Sequence, residues 1–155
     1  MASISNQGIY VDCKQLMSLT YQLINHLTNR DRLLVGDRLM KANIDMVEAF
    51  AMAYKRGDEK LTYDDGDILL EAEIKGCKRN EIDKLAAYFE QYKLLFEFIF
   101  ANLTIQRMSE EDKERKEAEF VRMLAKIERG ISKWRSGVYR QVLVSRKRHE
   151  SVRAL

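Results

Sequence analysis

Residues 81–105 read EIDKLAAYFEQYKLLFEFIFANLTI, and the reading of this stretch decides the fold class. Ile82, Leu85, Phe89, Tyr92, Phe96, Ile99 and Leu103 recur three or four positions apart, the period of one face of an α-helix. Tyr88, Leu94, Leu95, Phe98 and Phe100 add apolar surface on other sides. A helix that is apolar nearly all round is buried on more than one side. This segment is therefore expected at the centre of a helical domain, or against a second subunit as well. Asn80 reads as its N-cap, and the helix is expected over 80–106.

Three further segments carry the same period. Leu16, Leu19, Leu23 and Leu27 share a face of a helix predicted over 9–28, and the turn Thr28-Asn29-Arg30-Asp31 offers Asn29 or Asp31 as the next N-cap. In the helix predicted over 32–56, Met40, Ile44, Val47, Ala51 and Tyr54 read as the inner stripe. Leu39, Met46, Phe50 and Ala53 form a second apolar row there, while Asp37, Lys41, Asp45 and Glu48 form a solvated face with opposite charges four apart. The last helix, over 109–148, opens with Ser109 as N-cap and Glu110, Glu111 and Asp112 at the positive end of its dipole. Its buried stripe is Phe120, Leu124, Ile127, Ile131, Trp134 and Val138, and Gly130 inside that stripe points to close approach of a neighbouring helix.

Residues 57–79 read as an inserted connection, with a polar turn at Asp64-Asp65-Gly66-Asp67 and an optional short helix from Asp67 to Lys75 ending at Gly76. Proline is absent from the 155 residues, where an average usage of about 5% would give roughly eight. Helices can then run without the break proline imposes. With 46% hydrophobic and 33% charged residues, the chain is expected to form a single all-α domain, 1–155, large enough for one core.

The inventory removes several chemistries. Two histidines (His26, His149) and two cysteines (Cys13, Cys77) supply no Cys-x-x-Cys, His-Glu-x-x-His or Glu-x-x-His pattern, and no glycine-rich phosphate loop occurs. Asp64–Asp67 is the best case for a metal-holding carboxylate cluster, but its spacing departs from a calcium loop and no glutamate stands at the twelfth position. No catalytic residue, metal or cofactor is expected. Met1–Gly8 lacks the pattern of a signal peptide, and the most apolar run, Leu94–Ile105, is too short to span a bilayer. A cytoplasmic protein without a membrane partner is the expectation.

The net charge of +3 hides a division. Arg122 to Leu155 holds ten Lys/Arg against two acids, so this end is strongly basic and the remainder acidic. Arg122, Lys126, Arg129, Lys133, Arg140 and Lys147 recur at helical spacing on the side away from the Phe120–Val138 stripe. Such a face can lie along a phosphate backbone and release counterions. Arg146-Lys147-Arg148 and Arg153 carry the charge into a basic tail over 135–155. The competing readings are a solvated face whose cations favour the negative helix end, and an anionic membrane surface or an acidic protein partner. Val142, Leu143 and Val144 would supply the apolar side for a membrane.

The stretch from Leu16 to Trp134 resembles the accessory variability determinant (Avd) family, small partners of the reverse transcriptases of diversity-generating retroelements. Arg32-Leu33-Leu34-Val35-Gly36-Asp37-Arg38-Leu39 resembles the family's Leu-Gly-Asp-Arg pattern. Phe89-Glu90-Gln91-Tyr92-Lys93-Leu94-Leu95 is similar to its Leu-Glu-x-Leu-Arg-x-Leu run, with Lys93 in the arginine place. Ile127 to Trp134 resembles the end of its fourth helix, where the family carries a tryptophan. Glu97 stands where a basic residue is common, and Ser132-Lys133 replaces the Gly-Gly that usually precedes the tryptophan.

The resemblance implies an antiparallel four-helix bundle, here with a long connection between helices two and three and a basic C-terminal helical extension. It further implies a homopentamer without an active site that binds a reverse transcriptase and template RNA or cDNA and supports mutagenic cDNA synthesis. Gly36, Asp37, Arg38 and Trp134 carry the motif. Lys93 would extend the nucleic-acid surface made by Arg122, Lys126, Arg129, Lys133, Arg140 and Lys147. The alternative function is a helical scaffold that binds protein partners without nucleic acid.

Overall fold

A computed structural model describes the backbone of residues 8–57 and 67–154, with side chains at 8–54 and 80–137. Every regular element among the described residues is helical, so the fold is all-α. The four long helices are α1 (Gly8–Ile24), α2 (Asp37–Gly57), α3 (Asp67–Asn102) and α4 (Glu110–Ala154). Chain enters α2 through one α-turn at Asn29–Asp31 and a π-helical segment at Arg32–Gly36. Packing is most extensive between α2 and α3, followed by α3 with α4, α1 with α2, and α4 back against α1.

The apolar faces meet as their spacing demands. Leu16, Leu85, Tyr92, Ile99, Phe120 and Ile127 are fully buried, each from a stripe legible in sequence. Phe96, Phe100 and Phe120 cluster with ring centroids 4.8–6.0 Å apart, joining α3 to α4. At the other end of α2, Phe50 lies against Trp134 at 5.0 Å and Tyr10 at 5.9 Å. Gly130 is a close-approach site: a Cβ there would stand 2.9 Å from Ile9 Cγ1.

A buried polar knot crosses this core. Thr20 Oγ1 lies 2.7 Å from the Leu16 carbonyl, 3.0 Å from Asn43 Oδ1 and 2.7 Å from the Tyr92 hydroxyl, while Asn43 Nδ2 donates to the Cys13 carbonyl at 3.1 Å. Thr20 has a single proton, which goes to one of its two pure acceptors, so Tyr92 is the donor in the third contact. One knot thus ties α1, α2 and α3. Burial, reinforced by the neighbouring Asp12 charge, pushes the Cys13 thiol up to about 12. Burial also lifts the Tyr92 hydroxyl well above its usual range.

Several boundaries differ from the sequence reading. The first helix stops at Ile24, because the His26 and Leu27 amides bond three residues back, to the Leu23 and Ile24 carbonyls, and tighten the last turn. The next N-cap is Thr28, whose Oγ1 accepts from the Asp31 amide at 3.1 Å, in place of Asn29 or Asp31. The inner face of α2 is Leu39, Ala42, Asn43, Met46, Ala49, Phe50 and Ala53; Met40, Val47, Ala51 and Tyr54 sit at its margin and Ile44 is exposed. Asn43 decides that rotation, since its amide needs partners on α1.

Asn80 is not an N-cap. It is an exposed mid-helix residue of a single α3 that begins at Asp67, so 67–79 is helix and not connection, while 58–66 lies outside the described residues. A cap-prone residue inside a helix costs only tenths of a kcal/mol and is readily overridden. The same α3 closes earlier than expected, at Asn102, whose Nδ2 donates to the Phe98 carbonyl at 3.2 Å. Ser109 does cap the last helix, accepting from the Asp112 amide at 3.1 Å, and α4 continues to Ala154 so that the basic tail is part of it.

Candidate nucleic-acid interface

α4 turns Phe120, Leu124, Ile127 and Ile131 into the core. The helical period then places positions 122, 126, 129 and 133 on the opposite side, and all four side chains are exposed. Arg122, Arg129 and Lys133 make no ion pair among the described residues. Over the 11 positions from Arg122 to Lys133 the helix rises about 16 Å, so the row occupies three turns.

The other expected contacts have different surroundings. Lys126 Nζ lies 3.2 Å from Asp12 Oδ1, a buried carboxylate on α1, so this cation holds two helices together although 62% of its side chain is exposed. Lys93, on α3, sits 3.6 Å from Glu90 and 3.7 Å from Glu128, with its ammonium over the Phe89 ring. It stands apart from the row, in an acidic setting. Arg135 joins α4 to α3 through Asp83 at 2.9 Å. The backbone of α4 continues through Arg140 and Lys147, whose side chains lie outside the described residues, as does Val138.

The motif residues separate into two ends of α2. Gly36 closes the π-helical segment in a buried position, where a Cβ would come within 3.2 Å of Ile24 Cγ2 and 3.3 Å of Leu27 Cδ1. A glycine there lets the end of α1 abut the start of α2. Asp37 and Arg38 beside it are exposed, as are Leu33 and Leu34. Trp134, at the far end, is half-buried against Phe50 and packs on Ala53 and Ile82. It serves packing. The π-helical segment with its two exposed leucines escaped the sequence reading; the sole signal was an apolar pair set between ionic residues, Arg32 and Asp37.

No family model, curated protein or solved structure matches this chain. The chemistry must therefore be read from the site. Among the described residues no group of three His, Cys, Asp or Glu side chains could hold a metal ion, and the Asp64–Gly66 portion of the acidic turn lies outside them. No helix among them is long and apolar enough to cross a membrane. What the outer side of α4 offers is an array of fixed positive charge on a rigid rod, suited to an extended polyanion.

Proposed function

We propose that this chain is a non-catalytic, nucleic-acid-binding accessory subunit, built as an antiparallel four-helix bundle, that assists a reverse transcriptase in template-RNA-dependent, mutagenic cDNA synthesis. The observation that carries the nucleic-acid part is the row Arg122, Arg129 and Lys133: three exposed cations on one helical face, none engaged by an acid among the described residues. A face made for solubility alone mixes both signs; this one does not. The polymerase partner and the homopentamer rest on the resemblance of residues 32–39, 89–95 and 127–134 to the Avd family, and the cytoplasmic setting on the sequence pattern of Met1–Gly8 and Leu94–Ile105.

The test is binding of a fluorescein-labelled single-stranded RNA across a salt series. Three phosphate contacts correspond to a slope of log affinity on log salt of about −2. The Arg122→Glu/Arg129→Glu/Lys133→Glu variant is expected to lose binding with its helicity unchanged. Affinity that ignores salt, or that survives in this variant, overturns the reading. Light scattering tests the assembly: a mass near five times the 18.2 kDa chain supports the pentamer, and a monomer removes it.

The second reading, a helical scaffold for protein partners, is supported by exposed Leu33 and Leu34 and by apolar residues on α3. It predicts no RNA affinity at any salt concentration.

A further inference from the structure

Between α3 and α4 the surface opens into a groove of about 370 Å3. Its floor is Phe96, Phe100 and Leu124, and its wall is raised by Val121, which is 52% exposed. Ala101 and Ala125 leave the groove wide, since neither fills the space beside the phenylalanines. Leu94 and Phe98 are further exposed apolar residues of α3 outside the groove lining, Leu94 at 68% exposure. The rim is acidic: Glu97 on α3 faces Glu117 and Glu128 on α4. Lys93 is the sole cation of the lining, and Glu90 and Glu128 already engage it.

We infer that this groove docks a cationic amphipathic helix of a partner protein. Two properties of the groove select that occupant. The apolar floor needs apolar anchors one helical turn apart, the pattern of helix-in-groove recognition. The glutamates need lysine or arginine on the flanks of the same helix, and charge complementarity of this kind sets register and rejects wrong partners. A nucleic acid is repelled by the rim. The Arg122–Lys133 stretch of a second copy brings charge but no apolar anchor, since Ala125 and Ser132 stand between its cations on that face. From Glu117 to Glu128 the groove runs 11 residues, about 16 Å, or three turns of an occupant. The groove and the Arg122–Lys133 row lie on different sides of α4, so this inference stands or falls independently of the RNA reading.

The experiment uses the full chain and a labelled 18-residue leucine/lysine model helix, with leucines at i, i+3, i+4 and i+7, read by fluorescence anisotropy. Its control is the same peptide with every lysine replaced by glutamate. The lysine peptide is expected to bind, and to bind at least tenfold more weakly to Val121→Glu and to Glu97→Lys/Glu117→Lys. Val121→Ser supplies the same comparison should Val121→Glu lose helicity. Arg129→Glu/Lys133→Glu is expected to bind the peptide unchanged. Peptide binding should slow backbone hydrogen exchange over 94–101 and 117–128. Equal binding by the glutamate peptide overturns the inference, as does indifference to the groove substitutions. It is likewise overturned if light scattering finds an oligomer that Val121→Glu dissociates, because the groove is then the chain's own interface.

Discussion

The polar groups of this protein fall into two populations that obey opposite rules. In the knot where α1, α2 and α3 meet, Thr20, Asn43 and Tyr92 are buried and each finds a partner. On the outer side of α4, Arg122, Arg129 and Lys133 are exposed and engage no acid among the described residues. Water explains the difference. An unpartnered polar group in the core costs about 1–3 kcal/mol, whereas an exposed cation is fully hydrated and costs almost nothing. The knot therefore reports on what the fold requires, and the row on what it leaves free for something else.

Breaking the knot should give the largest effect. Asn43→Ala removes the side-chain bond that ties α2 to the Cys13 carbonyl, strips Thr20 of an acceptor and opens a cavity, with an expected loss of about 2–4 kcal/mol in urea unfolding. Tyr92→Phe deletes one donor and no carbon, so about 1–2 kcal/mol is expected. Should Asn43→Ala match an exposed substitution in cost, the knot holds nothing together.

The same burial has a pH signature. The Cys13 thiol moves from an ordinary value of 9.0 to about 12 in the folded chain. Above pH 9 the unfolded chain releases this proton while the folded chain keeps it, so stability is full below 9 and falls as pH rises toward 12. The slope is about 1.4 kcal/mol per pH unit. Cys13→Ala should flatten the alkaline limb of a stability–pH profile by that amount; parallel profiles would show that the thiol is not sealed.

Much of the knot's scaffolding was legible before any coordinates, and the reason is particular. Residues 16–27 and 82–103 repeat long apolar side chains at one helical spacing with polar residues between, so their buried faces declare themselves. α2 does not. Its two apolar rows compete, and the one that wins contains Ala42, Asn43 and Ala49, residues that hydrophobicity ranks low. Contacts with α1, far away in the chain, set that rotation. The start of α3 failed for a different reason: Asn80 carries a local cap signal, yet the helix runs through it from Asp67, and a cap-prone residue costs little inside a helix. For the candidate site, the row of cations was visible as a spacing. Which of them were engaged was not, because Asp12, which holds Lys126, and Glu128, which joins Glu90 in holding Lys93, come from other helices.

That last distinction separates two neighbours on α4 that look identical in sequence. Lys126→Ala leaves Asp12 buried without its cation, so about 1–2 kcal/mol of stability should be lost. Arg129→Ala removes a hydrated charge and should change stability by less than about 0.5 kcal/mol. On RNA the order reverses. Arg129→Ala should weaken binding at low salt and make the slope of log affinity on log salt shallower by about 0.7, the share of one phosphate on a single strand. Lys126→Ala should alter that slope less, because its ammonium is already neutralised by Asp12. Thermal melts and salt titrations on these two variants make a crossed comparison, in which each residue is the other's control. If both variants shift stability equally and neither moves the slope, the row is an ordinary solvated surface, and the division between engaged and free cations carries no functional meaning.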